Sequence, residues 1–304
     1  MGRQQLKWFY LIALALVWGS SFILIKKGLV GLTPIQLGAL RVCFASVFIF
    51  LIGAKSIKKI KKEHWRYIAL SGFLGTFFPA FLFAFAETKV DSGIVSILNS
   101  TVPILALIIG ALVFKIKATS NQILGVVVGL LGSIFLVGTE AVSIGKTNFI
   151  YAFLPLIATV MYAFNVHIIK RFLQEVSALS ITLGFFIVLF PFALGVLFFT
   201  GFFNEQVLTN PKVQTSIFYI AILAVFGTGI AKIIFNRLVQ LSTPLFTTSV
   251  TYLIPVIALM WGLLDGEKFS FMQLLSGLFI LIGVYLANKK TGTKAGLDKK
   301  FSKS

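Results

Sequence analysis

The sequence predicts an all-α integral membrane protein in which ten transmembrane helices form two inverted repeats of five. Three observations lead to this fold class. The mean hydropathy is +0.99, and only 12% of the 304 residues are charged, against roughly 25% in a soluble domain. The apolar residues lie in uncharged blocks long enough to cross a bilayer. The two halves of the chain can also be aligned with each other.

The uncharged blocks define the predicted spans. A membrane-crossing helix needs about 20 apolar residues, because the hydrocarbon core is about 30 Å thick. The first block could instead be a cleaved signal peptide, but no small-x-small cleavage site follows Trp18. The predicted spans are residues 8–27, 34–54, 66–86, 92–114, 119–138, 148–169, 177–201, 215–238, 243–264 and 269–288.

The basic residues predict the orientation. The chain holds 27 Lys and Arg against 9 Asp and Glu, and short basic loops are retained in the cytoplasm. If the N-terminus is inside, most of these residues fall on the inner side, in residues 55–66, other inner loops and the C-terminal tail. We therefore expect a multi-pass protein of the cytoplasmic (inner) membrane with both termini in the cytoplasm. Basic residues confined to loops do not form the continuous surface that binds nucleic acid.

An internal repeat is the third observation. Each half holds five predicted spans, and this odd number would place the second half upside down in the membrane. We expect one repeat at residues 1–140, its inverted partner at 141–290, and a basic cytoplasmic tail at 291–304. Chance similarity among apolar residues is the alternative. The aligned pairs are Trp18 with Tyr162 and Ser21 with Asn165 at a shift of 144, and Gly75 with Gly227, Thr76 with Thr228 and Pro103 with Pro255 at a shift of 152.

Several short motifs follow one another along the chain: WGSSF at 18–22, the start of span two at 34–41, LNSTVP at 98–103, VTYLIP at 250–255, and DGE at 265–267 with Gln273 and Gly277. In this order they resemble the drug/metabolite transporter superfamily, specifically the EamA-type permeases, over nearly the whole chain. The resemblance implies a central cavity lined mainly by spans one, three, four, six, eight and nine, and export or uptake of amino acids or other metabolites. One departure is that the acidic residue after span four appears only in the second half, as Glu267.

Two cations lie deep in predicted spans, where ionisable residues are costly and often functional. No Asp or Glu lies as deep. Lys232, in span eight, predicts a contact with an anionic group of a solute, and snorkelling toward the inner interface is the alternative. We interpret Arg41, in span two, as a structural residue, because the 144 shift places Phe185 opposite it, and contact with the solute is the alternative.

Prolines interrupt spans four and nine at matching depth. Pro103 and Pro255 each remove a backbone donor and free a carbonyl one turn earlier, at Asn99 and Thr251. The kinks predict neutral hydrogen-bonding groups near the midplane, and simple helix packing is the alternative. The candidate substrate-binding residues are therefore Lys232, Asn99, Ser100, Thr251, Tyr252, Ser20, Ser21, Tyr162, Asn165 and Asn236.

Other polar and small residues in the spans favour structural roles. Ser20 and Ser21 would also allow close helix contact. His167 could carry a proton, but its place near the inner end of span six favours an interfacial position. Gly125, Gly129 and Gly132 predict a packing seam on span five.

The predicted function is secondary transport of a small organic metabolite, an amino acid or related carboxylate. An intramembrane enzyme is one alternative, but the sequence holds no HExxH, paired aspartates or Ser-His constellation. A non-transporting membrane protein is another, and a drug or nucleoside exporter is the alternative among transporters. We expect no metal or other cofactor, since the one cysteine, Cys43, has no partner for a disulfide or CxxC site. The expected partners are the metabolite and the lipid bilayer, and a homodimer is compatible with the sequence.

Overall fold

The structure, a computed structural model, describes residues 2–116, 149–266 and 270–288, together with 119–125, 127–129, 131–132, 135 and 268. Glu267, residues 136–148 and the tail at 291–304 lie outside the described residues. Across the described ranges the chain is helical and contains no strand. Eight helices are long and apolar enough to cross a membrane: α1 Gln4–Gly28, α2 Pro34–Lys59, α3 Lys62–Ala86, α4 Ser92–Leu112, α6 Ile150–Phe172, α7 Ala178–Phe199, α8 Pro211–Leu241 and α9 Pro244–Leu264. Two further helices are α5, Ser120–Gly129, and α10, Phe271–Asn288.

The eight long helices correspond to predicted spans one to four and six to nine. The apolar part of α10 is Leu274–Gly283, shorter than a full span, and predicted span five lies partly outside the described residues. The all-helical membrane class is therefore confirmed. The count of ten crossings stays a prediction.

Local sequence signals set where several helices begin. Thr33 accepts a hydrogen bond from the Gln36 backbone N–H at 3.2 Å, and the Gln36 side chain accepts one from the Thr33 N–H at 3.1 Å. This capping box satisfies backbone donors that a helix start leaves free, and Pro34 suits the first turn because it has no N–H. Ser177 caps α7 with a single bond, accepting from the Ser180 backbone N–H at 3.1 Å.

Two of the long helices contain a π-helical segment. In α3 the segment is Phe73–Phe77, and in α8 it is Leu223–Ile230. The first contains Gly75 and Thr76, and the second contains Gly227 and Thr228. A π segment widens the helix and disturbs the regular hydrogen bonding, and such segments are frequent at functional sites. The two irregular segments thus occur at positions that the 152 shift aligns.

The proline positions also match. Regular α-helix in α4 stops at Asn99 and resumes at Val102, and in α9 a 3₁₀ turn, Ser249–Tyr252, separates Pro244–Thr248 from Ile254–Leu264. Each proline lies in the first turn of the segment that follows the break, where a missing N–H costs least. The expected interruptions therefore exist in both helices.

Helices of the two halves pack against each other in a crossed pattern. α1 contacts α8 and α9, while its repeat counterpart α6 contacts α3 and α4. α2 packs along its counterpart α7, around the fully buried Phe185. Two aligned pairs meet in this packing. A methyl group at Gly75 would lie 2.5 Å from Asn165 Nδ2, and one at Gly227 would lie 2.7 Å from Ser21 Oγ.

The glycines of α5 face α10. A methyl group at Gly132 would lie 2.8 Å from the backbone nitrogen of Ile280, and one at Gly283 would lie 2.6 Å from the carbonyl oxygen of Gly125. Backbones this close leave no room for larger side chains. The predicted packing seam is therefore present.

Candidate functional site

A cavity lies where α1, α2, α3, α4, α6, α8 and α9 meet. The centre of a water molecule can occupy a volume of about 80 Å³ inside this cavity. By this measure one water needs about 10–15 Å³, so the cavity has room for several waters or a small solute. The lining helices are the six that the family resemblance implied, with α2 in addition. Aromatic rings form much of the wall: Trp18, Phe22, Phe83, Tyr162 and Phe235.

Lys232 lines this cavity from α8, just after the π segment. Its side chain is buried, with 7% exposed, and Nζ donates a hydrogen bond to the carbonyl oxygen of Gly75 in α3. The ammonium also lies 5.4 to 6.0 Å from the ring centres of Trp18, Tyr162 and Phe235. The faces of aromatic rings are electron-rich and stabilise a cation. The ammonium therefore lies inside the helix bundle. A snorkelling lysine would instead extend its ammonium toward the membrane surface.

Arg41 reaches the same cavity from α2. Its Nε donates to Thr228 Oγ1 at 2.6 Å, and this hydroxyl donates in turn to the carbonyl of Leu223 at 3.2 Å. Both hydrogen bonds end in the π segment of α8. This position agrees with the alternative that Arg41 contacts the solute, since the absence of a repeat counterpart does not keep a residue out of a central cavity. The role of Arg41 stays a prediction.

Neutral polar groups complete the lining. Asn99 and Thr251, the residues at the two helix breaks, both line the cavity, as does Ser21. Thr251 Oγ1 donates to the carbonyl of Thr248 at 2.9 Å. Asn99 Oδ1 and Thr76 Oγ1 are buried and have no hydrogen-bond partner in the described part of the chain. Buried polar atoms are nearly always paired, so these two oxygens are suited to a bound solute.

No Asp or Glu occurs among the described residues that line the cavity. Glu87, at the end of α3, attracts Arg41 electrostatically, but it lies outside the lining and accepts a hydrogen bond from Ser92 at 3.0 Å. The described residues also contain no group of three His, Cys, Asp or Glu that could hold a metal ion. The cavity is thus lined by two cations and neutral groups.

Five of the predicted residues lie away from this cavity, four of them buried in helix contacts. Ser71 donates to Asn165 Oδ1, Asn236 Nδ2 donates to Thr182 Oγ1 at 2.9 Å, and the Ser100 hydroxyl donates to the carbonyl of Ile97 at 2.6 Å. Tyr252 is buried with 8% exposed but is not part of the lining. Ser20 accepts a hydrogen bond from Trp261 Nε1 at 3.0 Å on the outer surface of the bundle.

His167 is buried between α4 and α6. One ring nitrogen lies 2.7 Å from the carbonyl oxygen of Ala106, and the ring stacks on Phe114 with centroids 4.7 Å apart. Only 4% of the residue is exposed. Phe114 thus covers the imidazole near the end of α6, which continues to Phe172. The position of His167 near the inner interface stays a prediction.

The chain is similar to a known family along most of its length. The sequence profile of the EamA-like transporter family matches residues 6–138 and 149–289. The chain belongs to the EamA-like transporter family. It is therefore a multi-pass membrane transporter, as the motif order predicted, and the family indicates transport and not enzymatic catalysis.

Relatives of this EamA-like chain match it from end to end at low identity. The "Uncharacterized transporter YoaV" of Bacillus subtilis (strain 168) is 25% identical over 285 residues, covering 91% of this chain and 94% of the relative. The "Uncharacterized inner membrane transporter YedA" of Escherichia coli (strain K12) is 28% identical over 291 residues, covering 93% and 91%. The "Probable amino-acid metabolite efflux pump" of Salmonella typhimurium is 25% identical over 291 residues, covering 91% and 93%. A solved crystal structure superimposes with a TM-score of 0.69 at 15% identity over 94% of this chain and 97% of the other, which shows a shared fold.

An ion-pair cluster joins the ends of α1 and α9 in this EamA-like chain. Lys26 Nζ lies 3.0 Å from Asp265 Oδ2, and Lys27 Nζ contacts the other carboxylate oxygen. Hydrogen bonds from Lys27 and then Lys26 hold the pKa of Asp265 below its ordinary value. The cluster therefore links the end of α1, in the first half, to the end of α9, in the second half.

The sequence reasoning missed two threonines of the cavity, Thr76 and Thr228. A signal for them was present, because the Gly-Thr pairs align at the 152 shift. The pairs indicated only the alignment of the two halves, because the hydroxyl of a threonine within an apolar span usually donates to a backbone carbonyl of its own helix. The π segments, which contain these two threonines, have no signature in the sequence.

Proposed function

We propose that this EamA-like protein is a secondary transporter for a small organic metabolite with an anionic group, an amino acid or related carboxylate. It moves this solute across the cytoplasmic membrane by alternating access. The observation that carries the proposal is the charge of the cavity: two cations, Arg41 and Lys232, line it, and no carboxylate does among the described residues.

The charge imbalance has a physical consequence. A buried cation loses its hydration and is stable only if other groups compensate for that loss. Ring faces and one carbonyl do so in part for Lys232, but they carry no full negative charge. A solute carboxylate entering the cavity would supply that charge, whereas a cationic drug would be repelled by both residues. The printed name of the Salmonella relative, an amino-acid metabolite efflux pump, agrees with this solute class.

Two inverted five-helix repeats, at residues 1–140 and 141–290, would give the alternating access. The crossed helix packing and the matched π segments support this arrangement. A fifth crossing is supported by the stacking of Phe114, after α4, on His167, near the end of α6. Both helices end on the same side of the bundle, which agrees with one further crossing between them. Two interchangeable halves can then open one central site to either side in turn.

The proposal is tested by reconstituting the purified protein in liposomes preloaded with unlabelled solute and measuring counterflow of radiolabelled solutes. The panel is the L-amino acids, succinate, uridine and tetraphenylphosphonium, with protein-free liposomes as the control. We expect counterflow of one or more amino acids or succinate. Counterflow confined to uridine or tetraphenylphosphonium would contradict the proposal.

A further inference from the structure

The Arg41 guanidinium is bonded at one end and open at the other. Nε donates to Thr228, and among the described residues the two terminal amino groups make no hydrogen bond. The side chain is half-buried and lines the cavity. A guanidinium that served only to bridge helices would be expected to use its terminal donors on protein carbonyls, as Lys170 does on Val239 and Gln240.

The open end suits a carboxylate. The two terminal amino groups form a planar fork that can bind both oxygens of a carboxylate at once, which a lysine ammonium cannot do. We infer that Arg41 binds the carboxylate of the solute through this fork and that Thr228 is the positioning residue that orients it. This inference rests on the proposed function and extends it, because it assigns a binding role to a second cation besides Lys232.

The π segment explains how Thr228 can orient the arginine. Thr228 Oγ1 donates to the carbonyl of Leu223, five residues earlier, and so its lone pairs are available to Arg41 Nε. The aligned residue of the other half, Thr76, also lines the cavity, but its hydroxyl has no partner among the described residues. The residue that aligns with Arg41 is the fully buried Phe185. The fork therefore belongs to one half only.

The inference is tested by ligand-induced stabilisation of the detergent-purified full chain, a readout that does not require transport. The probes are sodium benzoate and the neutral, equally shaped benzamide, titrated at constant ionic strength while the midpoint of thermal unfolding is measured. We expect Arg41→Gln to weaken benzoate binding by roughly 10- to 100-fold and to leave benzamide binding unchanged. Arg41→Lys keeps the charge without the fork and should give an intermediate loss.

Thr228→Val provides the test if Arg41→Gln does not fold. It keeps the side-chain shape and removes the acceptor for Nε, and we expect benzoate binding to weaken roughly 2- to 10-fold. Thr215→Val is the matched control, because Thr215 is an exposed residue of the same helix, lies outside the cavity lining and also donates its hydroxyl to a carbonyl of its own helix, that of Pro211 at 3.0 Å. Equal losses in the two threonine variants would overturn the positioning role.

The outcomes separate the inference from the proposed function. If benzoate stabilises the wild type and Arg41→Gln equally, the fork is refuted, while a carboxylate site at Lys232 stands. If benzoate stabilises the wild type no more than benzamide does, the anionic solute and the fork are both refuted. Selective loss of benzoate binding in Arg41→Gln and Thr228→Val supports both.

Discussion

Lys232 in α8 donates a hydrogen bond to the carbonyl oxygen of Gly75 in α3, 157 residues earlier in the chain. The acceptor belongs to the π segment of the first half, and the donor follows the π segment of the second. The bond therefore joins the two irregular segments across the cavity. A solute group that attracts the ammonium would compete with this bond, which gives solute binding a direct effect on the contact between the halves.

The contact between Gly75 and Asn165 predicts a steric effect with a specific rescue. In Gly75→Ala the new methyl would lie 2.5 Å from Asn165 Nδ2 and 2.6 Å from Asn165 Cγ. We expect the free energy of unfolding to fall by about 1–3 kcal/mol, the usual cost of overpacking. Adding Asn165→Ala removes the clashing atoms, so the double variant should be more stable than the sum of the single effects predicts.

Gly195→Ala is the control for this experiment. A methyl group at Gly195, near the end of α7, would meet no atom within 4 Å. Alanine favours a helix interior over glycine by roughly 0.5–1 kcal/mol, so this variant should be no less stable than the wild type. Thermal unfolding in detergent measures the four variants and the wild type. Additive effects of Gly75→Ala and Asn165→Ala would contradict the described contact.

Asp265→Asn should weaken the contact between α1 and α9. The two lysine side chains are 35% and 41% exposed, so water screens the ion pairs and the expected loss of stability is at most about 1 kcal/mol at low ionic strength. The loss should shrink as salt is added. Glu63→Gln is the control, because Glu63 lies 3.8 Å from Lys61 in a pair that is more than 60% exposed on both sides. An equal loss in both variants would argue against a special role of the Asp265 cluster.

The pH dependence of this contact follows from the lowered pKa of Asp265, whose ordinary value is 3.8. A carboxylate whose pKa is lowered in the folded state stabilises that state fully when the pH is well above the ordinary pKa. This contribution is lost as the pH falls through the lowered pKa. We therefore expect the stability difference between wild type and Asp265→Asn to be constant from pH 6 to 8 and to vanish only in strong acid. A difference that changes near neutral pH would contradict this assignment.

The orientation can be tested with single cysteines on a Cys43→Ala background, since Cys43 is the one cysteine of the chain and is buried. Lys59→Cys lies at the end of α2, within the basic residues 55–66, and Gln206→Cys lies between α7 and α8, both at exposed positions. With both termini in the cytoplasm, a membrane-impermeant maleimide added to intact cells should label position 206 and not position 59. Labelling of both from the same side would contradict the ten-span arrangement.

The sequence predicted the helices better than the site. Uncharged blocks and the Thr33-Pro34 and Ser177 caps are local signals, and the long helices lie close to the predicted spans. The breaks before Pro103 and Pro255 were also predictable, because proline acts on its own helix. The pairing of Arg41 with Thr228 was not, since it joins residues 187 positions apart through the crossed packing of two halves. The alignment of the halves gave no reason to place Arg41 in the cavity, because a cavity between two repeats can take its charge from one of them.

The most direct test of the central claim, that the cavity binds an anionic solute group, is counterflow by Lys232→Met in proteoliposomes. Methionine keeps the length and the ring contacts and removes the charge, so the variant should fold and insert. We expect the apparent affinity for carboxylate-bearing solutes of the panel to fall about tenfold or more, the usual effect of losing a charged hydrogen bond. Lys212→Met, at an exposed position at the start of α8, is the matched control and should behave as the wild type. Unchanged affinity for carboxylates in Lys232→Met would contradict the claim.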